Sequence, residues 1–311
     1  MAASDPIDAV LLIAFGGPER MEDVRPFLDN VLRGRPVPRE RYEDVVHHYE
    51  LIGGRSPLNA LTFAQADGLR GALVAAGSAL PIYVGMRNWS PYIADTLAVM
   101  QRDGVRHALG LILAPHRTEA SWERYTGAVA AGCAALGAGA PAISYVGSWF
   151  DHPLFIETMV SRTRAALAEA PDAPLVFTAH SIPVAMAGDS PYVRELQVSA
   201  RLVTAAVGRD DFTLAYQSRS GSPRDPWLEP DVNDVVRELA ARGTNAVVVV
   251  PIGFVCDHVE VRYDLDIELK GIADELGIRL VRAETANDHP TFARMLADVV
   301  LRHAGTSSRP G

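Results

Sequence analysis

Residues 254–270, FVCDHVEVRYDLDIELK, concentrate carboxylates in one short run. Set on a helix at about 100° per residue, Asp257, Glu260, Asp264 and Glu268 fall within an arc of about 80°, with Asp266 on the opposite side. Like charges four residues apart repel by a few tenths of a kcal/mol per pair, so a structural helix gains nothing from such a stripe. The ordinary explanation is a solvated acidic face. Here, however, the stripe begins where the apolar run AVVVVPI (246–252) ends. Ligands of parallel α/β folds bind beyond the carboxyl ends of strands. A carboxylate ladder at that place suits a divalent cation in passage, or protons being relayed away.

A second candidate is His180, which closes the strand-like PLVFTAH (174–180) before Ser181-Ile182-Pro183. A lone histidine is most often structural. At a strand end in the same half of the chain as Glu260, it can face the same cleft. One neutral imidazole and one carboxylate make an open site for a borderline divalent metal such as Fe²⁺, Co²⁺ or Zn²⁺. Two strong ligands without a third histidine at fixed spacing hold a metal weakly, as suits a metal in transit.

Three further segments carry aromatic and basic residues, the last two just beyond strand ends. YELIGGRSPLNALTFAQADGL (49–69) is a glycine turn leading into an amphipathic helix, with Ser56 as its N-cap. GMRNWSPYIADTL (85–97) and QSRSGSPRDPWLEP (217–230) bring arginine and tryptophan to loop ends, where a flat conjugated ligand can lie. Common nucleotide and hydrolase fingerprints are missing. There is no G-x-G-x-x-G after the first strand, no G-x-x-x-x-G-K-[ST] and no G-x-S-x-G. FGGPE (15–19) reads as a glycine turn after a strand.

The elements that must position these residues alternate as in a parallel α/β fold. Strands are predicted at 9–15, 81–87, 107–114 and 142–147, with helices at 20–33, 57–76, 91–103 and 119–136 between them. The second half repeats the plan, with strands at 174–180, 212–217, 246–252 and 278–283 and helices at 153–169, 191–207, 231–242, 258–276 and 290–303. The expected fold is α/β, with two similar doubly wound, Rossmann-like domains at 1–147 and 148–311. Each carries a four-stranded parallel sheet flanked by helices, and the C-terminal helix near 290–303 packs back on the first domain. The segments after Phe15, Arg87, Ala114, His180, Gln217 and Ile252 are then the candidate ligand loops.

The totals set the frame. The 311 residues are 48% hydrophobic and 22% charged, enough for two packed cores and too apolar for a disordered chain. The net charge of −9, from 29 basic and 38 acidic residues, argues against nucleic acid or a basic membrane patch as partner. Cys133 and Cys256 stand far apart, which disfavours a disulfide framework or a structural zinc site and fits a reducing cytoplasm. MAASDPIDAV lacks the basic and apolar regions of a signal peptide, and the longest apolar stretches reach only about a dozen residues, short of a membrane span. Lys270 is the single lysine, so lysine Schiff-base chemistry and a P-loop lysine are excluded nearly everywhere.

Taken in order, AFGGPE (14–19), IGGRSPLNALTFAQ, GMRNWSPYIADTL, FTAHSIP, YQSRSG, PWLEP, PIGFVCDHVEVRYDLDIE and NDHPTFARMLADVV (287–300) resemble the ferrochelatase family, enzymes that insert ferrous iron into a porphyrin. The resemblance covers almost the whole chain. Its FGGPE, RNW and DHVEVRYDLDIE details are most similar to the branch from monoderm bacteria, which metallates coproporphyrin III rather than protoporphyrin IX. It implies a chelatase-like fold and a lyase of haem biosynthesis. His180 of the AHSIP motif and Glu260 of the DHVE motif would face each other across the porphyrin cleft and handle the metal or the pyrrole protons. Asp264 and Glu268 would continue as an acidic metal path on a helix that often contains a widened turn. Arg33, His48, Tyr49, Ser56 and Tyr125 match positions that contact the porphyrin edge or face.

Two departures stand out. Phe15 occupies a porphyrin-contacting position where some relatives have an iron-binding tyrosine, and a phenyl ring cannot ligate metal. Asn88 replaces a histidine found in some members, which weakens a second metal site there. Some relatives carry an iron–sulfur cluster on extra cysteines, and a chain with two cysteines is expected to lack one. The implied partners are a porphyrin and Fe²⁺, both as substrates with no tightly bound cofactor, and transient contacts with neighbouring haem-pathway enzymes. A cytoplasmic monomer with no transmembrane segment and no nucleic-acid partner is expected. In the expected mechanism, His180 as a neutral imidazole accepts a pyrrole proton, and Glu260 helps desolvate and deliver Fe²⁺. Asp264 and Glu268 serve as a relay. The alternatives are a protoporphyrin IX ferrochelatase, a cobalt or nickel chelatase for a more polar ring, and a porphyrin or haem carrier without turnover. An ordinary Rossmann enzyme is disfavoured by the missing fingerprint.

Overall fold

The computed structural model describes residues 6–221 and 224–306. Residues 1–5 of the first predicted domain, 222–223 of the 217–230 motif and 307–311 of the second predicted domain lie outside them. The first half runs β1 (Ala9–Ala14), α1 (Met21–Leu32), α2 (Arg39–Leu51), α3 (Leu58–Ala75), β2 (Ile82–Met86), α4 (Ile93–Arg102), β3 (His107–Ile112), α5 (Glu123–Leu136) and β4 (Ala142–Tyr145). The second runs α6 (Pro153–Glu169), β5 (Leu175–His180), α7 (Val184–Gly188), α8 (Tyr192–Ala206), β6 (Thr213–Gln217), α9 (Val232–Ala241) and β7 (Ala246–Val250). It continues through α10 (Val259–Arg262), a π-helical segment (Asp264–Leu269), α11 (Lys270–Glu275), β8 (Arg279–Arg282) and α12 (Pro290–Thr306).

All eight predicted strands form, because a parallel strand covered on both faces reads as an unbroken apolar run. AVLLIA of β1 is buried at every position, and four of the five residues of AVVVV in β7 are buried. They make two four-stranded parallel sheets with matching orders, β2-β1-β3-β4 and β6-β5-β7-β8. In each, the strand order reverses beside the first strand, so the crevice that such sheets offer to ligands opens between β1 and β3 and between β5 and β7.

The two edge strands show how closely the halves correspond. The loops after β2 and β6 both return through a cis prolyl bond, Ser90-Pro91 and Glu229-Pro230. They close with Met86 N donating to Pro91 O at 2.7 Å and Tyr216 N to Pro230 O at 2.9 Å. Ala14 pairs with Met86 and Ala179 with Tyr216. Phe15 and His180, one residue further on, therefore occupy equivalent strand ends.

Helix α12 packs on α3 of the first half and α6 of the second, with Phe292, Leu296 and Val300 in one core with Leu69, Leu73, Phe155 and Met159. The α3–α12 approach needs Gly68, where a Cβ would meet the Ala293 Cβ at 2.9 Å. Two differences from the predicted elements have simple causes. Helix α2 is not anticipated: RERYEDVVHHYEL is polar and buries only Val46 and Tyr49. The predicted helix 258–276 is three consecutive segments, the middle one wound as a π-helix. Among the described residues no helix is long and apolar enough to cross a membrane.

Candidate active site

His180 ends β5, and the chain leaving β7 turns back to present Glu260 on the first turn of α10. The two meet with His180 Nε2 3.4 Å from Glu260 Oε1. The ring is fixed from its other side, where Nδ1–H donates to the Ser181 carbonyl. Tyr192 Oη donates to the His180 carbonyl at 3.0 Å. Glu260 is held as well: His258 caps α10 by accepting the Glu260 N–H on Nδ1 at 3.2 Å, with its Nε2 3.8 Å from the carboxylate. Gln217 Nε2 donates to the Glu260 carbonyl at 2.7 Å.

Beyond Glu260 the backbone widens, with Glu268 N bonding back five residues to Tyr263 O at 2.9 Å. Asp264 accepts from the Ser218 hydroxyl, and Ser218 itself sits at φ 62°, a left-handed conformation uncommon outside glycine. Glu268 accepts from Asn233 Nδ2 at 3.2 Å. Glu260, Asp264 and Glu268 thus follow one another along the segment. Asp266 points the other way into the guanidinium of Arg282, at 2.9 Å from Nη2.

Asp257 is a correction to the predicted stripe. It precedes the helix, is buried, and pairs with Arg282 at 3.3 Å and with the Thr285 hydroxyl at 2.9 Å. An ideal 100° phase carried back through residues 257–258 assumed a helix that begins at Val259. Asp257 belongs to the wall behind the ladder.

The electrostatics of the pair follow from its geometry. Burial opposes the imidazolium, but the attraction of Glu260 outweighs it and pushes His180 up to about 9. Burial likewise opposes the carboxylate, yet His180 and His258 beside it hold Glu260 at about 2. Each shift favours an imidazolium–carboxylate pair at neutral pH. The expected neutral His180 is therefore corrected for the substrate-free site: the nearby anion keeps the ring protonated. Burial, with Glu260 and Glu268 close by, pushes Asp264 up to about 7 despite the bond from Ser218. The ladder thus grades from a firmly ionised carboxylate to one that exchanges protons near neutrality.

The first half supplies a wall with no such chemistry. Phe15, 39% exposed at the end of β1, meets Phe27 edge-on at 6.2 Å, and Phe27 meets Tyr49 and Trp89 in the same way. His48 stacks on Tyr263 of the acidic segment at 3.5 Å and 12°, joining α2 to the second half. Burial lowers His48 to about 4, so this ring is neutral. Tyr49 and Tyr125 are buried, and their hydroxyls are raised by burial and by the Glu260 charge, which places both rings near the pair. Arg33 donates to Asn88 Oδ1 at 2.9 Å and to the Arg87 carbonyl at 3.1 Å. Arg87 shares that Asn88 oxygen, and no carboxylate pairs with either guanidinium among the described residues. Burial and Arg33 lower the Arg87 pKa. Ser56 is buried and lies so close to Gly17 that a Cβ there would meet it at 2.9 Å; the expected N-cap is corrected, since Pro57 holds that position of α3 and Ser56 Oγ, one residue earlier, accepts from Leu58 N at 3.3 Å.

Of the predicted site residues, the structure brings His180 and Glu260 into contact and continues them with Asp264 and Glu268. Phe15 and Tyr49 both pack on Phe27, Tyr125 lies apart from them in the core under β1 and β3, Arg33 bonds Asn88, and the Ser56 hydroxyl accepts from Leu58 N. Sequence reasoning missed His258, Gln217, Ser218, Asn233 and Tyr192. All but Tyr192 lie inside or beside quoted motifs, and all but His258, a local helix cap, act through hydrogen bonds between elements. Chemically, the arrangement offers an imidazole paired with a carboxylate and further acids following along the segment; among the described residues no group of three or more His, Cys, Asp or Glu is gathered closely enough to hold a metal ion by itself.

The chain is similar to known proteins along nearly its whole length. The ferrochelatase family model matches residues 7–304. The coproporphyrin III ferrochelatase of Mycobacterium avium (strain 104) is 47% identical over 308 residues, covering 97% of this chain and 90% of that protein. That of Nocardia farcinica (strain IFM 10152) is 46% identical over 310 residues, covering 96% and 88%. Among solved structures, the sirohydrochlorin chelatase SirB from Bacillus subtilis subspecies spizizenii in complex with cobalt superposes with a TM-score of 0.58 over 96% of both chains at 14% identity. At that identity the likeness speaks for the fold alone.

Proposed function

The chain belongs to the ferrochelatase family, and on that premise we propose that it inserts Fe²⁺ into coproporphyrin III as a step of haem biosynthesis. The observation that carries the reading is the 3.4 Å contact of His180 with Glu260 at a strand-end crevice. The relatives named above favour coproporphyrin III over protoporphyrin IX. So do Arg33 and Arg87, two guanidiniums without carboxylate partners, which suit a substrate rich in carboxylates. Both substrates of the reaction enter and leave, and the reading needs no resident cofactor. Nothing in it requires a second copy of the chain or a compartment other than the cytoplasm.

A free porphyrin carries two N–H protons in the hole that the metal must enter, so each insertion releases two protons for one Fe²⁺. Binding energy from the periphery of the ring holds the macrocycle bent, so that a nitrogen lone pair faces the ion. In the empty cleft His180 is an imidazolium neutralised by Glu260. When Fe²⁺ reaches Glu260, the cation replaces the imidazolium as the carboxylate's counter-charge and drives the His180 proton off toward Asp264. The imidazole so freed accepts one pyrrole proton through Nε2, passes it toward Asp264 and then accepts the second, with Nδ1 anchored on Ser181. Asp264, near its midpoint at neutral pH, passes protons on toward Glu268.

The test is anaerobic metallation with Fe²⁺ and either coproporphyrin III or protoporphyrin IX, followed by loss of free-base fluorescence. Faster turnover with coproporphyrin III is expected. Faster turnover with the dicarboxylate would reverse the substrate assignment, and tight stoichiometric binding with no turnover would favour a carrier.

A further inference from the structure

Gln217 closes β6 beside both members of the pair, yet the chemistry above gives it no part. It is His180's partner in the β5–β6 register, and its main-chain carbonyl accepts from Ser181 N at 2.8 Å, holding the turn that follows His180. Its side chain crosses to the other member and donates from Nε2 to the Glu260 carbonyl at 2.7 Å. Because it faces a carbonyl, the amide must present its NH₂ group there. Oε1 is then left buried, without a hydrogen-bond partner among the described residues. An unmatched buried acceptor is destabilising, and an apolar side chain of the same shape avoids it, so core stability does not account for a glutamine. The next residue extends the pattern, since Ser218 adopts φ 62° and bonds Asp264. The end of β6 is thus bonded to the His180 turn, to Glu260 and to Asp264.

We propose that Gln217 is a positioning residue that sets the separation and orientation of Glu260 relative to His180. The inference rests on the assignment of those two residues to the reaction, made above.

The test uses the full chain and two substitutions. Gln217→Met keeps length and volume but removes both the donor and the unmatched acceptor, whereas Gln217→Glu keeps the shape and turns an oxygen toward the Glu260 carbonyl. Thermal unfolding, coproporphyrin III affinity by fluorescence quenching, and kcat with Fe²⁺ are measured for each beside the wild type. For Gln217→Met we expect a Tm within about 4 °C of wild type. Porphyrin affinity should stay within about twofold while kcat falls about 10- to 100-fold, the usual cost of an ångström-scale misplacement of a reacting group. Gln217→Glu loses at least as much. A folded Gln217→Met protein with kcat within about threefold of wild type overturns the proposal. So does a fall in kcat matched by an equal weakening of porphyrin binding, which is what general loosening of the fold gives. If Gln217→Met does not fold, the isosteric Gln217→Glu decides by the same comparison. Failure of the wild type itself to metallate any porphyrin would instead remove the functional reading.

Discussion

β1 ends in Ala14-Phe15 and β5 in Ala179-His180, at the same step of two sheets built in the same order. Even the flanking sequences run in parallel, AFGGP at 14–18 and AHSIP at 179–183. In the first half this strand end carries a phenyl ring packed edge-on against Phe27. In the second it carries an imidazole anchored on Ser181 and paired with Glu260. The acids follow the same division, with Glu260, Asp264 and Glu268 on the segment after β7, while the first half carries Phe15, Tyr49 and Tyr125. One plan has been used twice, and on the proposed function the first copy would hold a ring and the second act on it. A flat ligand between the halves then meets apolar surface on one side and proton and metal chemistry on the other.

That asymmetry breaks most sharply at His180. His180→Ala is expected to lower kcat about 10²- to 10⁴-fold with coproporphyrin III affinity nearly unchanged, as for loss of a general acid–base group. Glu260→Gln removes the counter-charge and the metal-binding oxygen, and a kcat loss of about 10²-fold is expected, with a raised KM for Fe²⁺. The first half should answer in binding instead. Arg33→Ala is expected to weaken coproporphyrin III about tenfold at constant kcat, and protoporphyrin IX less, in the range of one charged hydrogen bond. Phe15→Leu should raise Kd only about twofold to fivefold, since most of the apolar contact survives. A kcat effect of Phe15→Leu as large as that of His180→Ala would erase the distinction between the halves.

The smallest effect concerns pH. His180 is raised, so its contribution to stability is complete below about 6.5 and is lost as pH climbs through about 9. Glu260 is lowered, so its contribution is complete above about 4.5 and is lost as pH falls through about 2. The pair therefore stabilises the empty protein most between these limits. The Tm gap between wild type and Glu260→Gln should be larger at pH 6 than at pH 9.5. Partial exposure of both side chains keeps that gap small.

The sequence showed the fold well because buried parallel strands are unbroken apolar runs, as in AVLLIA and AVVVV. It failed at α2, whose polar surface hides a helix with only two buried residues, and at the start of α10, where one assumed helix drew Asp257 into the stripe. The site was legible as far as it lay in motifs: His180 and Glu260 are strand-end and helix-start residues with identifiable chemistry. Gln217 and Tyr192 were not, since their bonds to Glu260 and His180 cross between elements and no local pattern encodes them, whereas the His258 cap of α10 is local but made by an uncommon capping residue. The charge of His180 was also hidden. A neutral imidazole is the default for a lone histidine, and only the 3.4 Å approach of Glu260 reverses it.

The central claim is that the second half performs the chemistry that the first half only holds in place. Its most direct test is anaerobic single-turnover mixing of Fe²⁺ with preformed protein–coproporphyrin III complex, following free-base fluorescence for the wild type and for His180→Ala at equal occupancy. The account predicts rapid loss of fluorescence in the wild type and a stable fluorescent complex in the variant. Metallation by a folded, porphyrin-loaded His180→Ala protein at a near wild-type rate would contradict it.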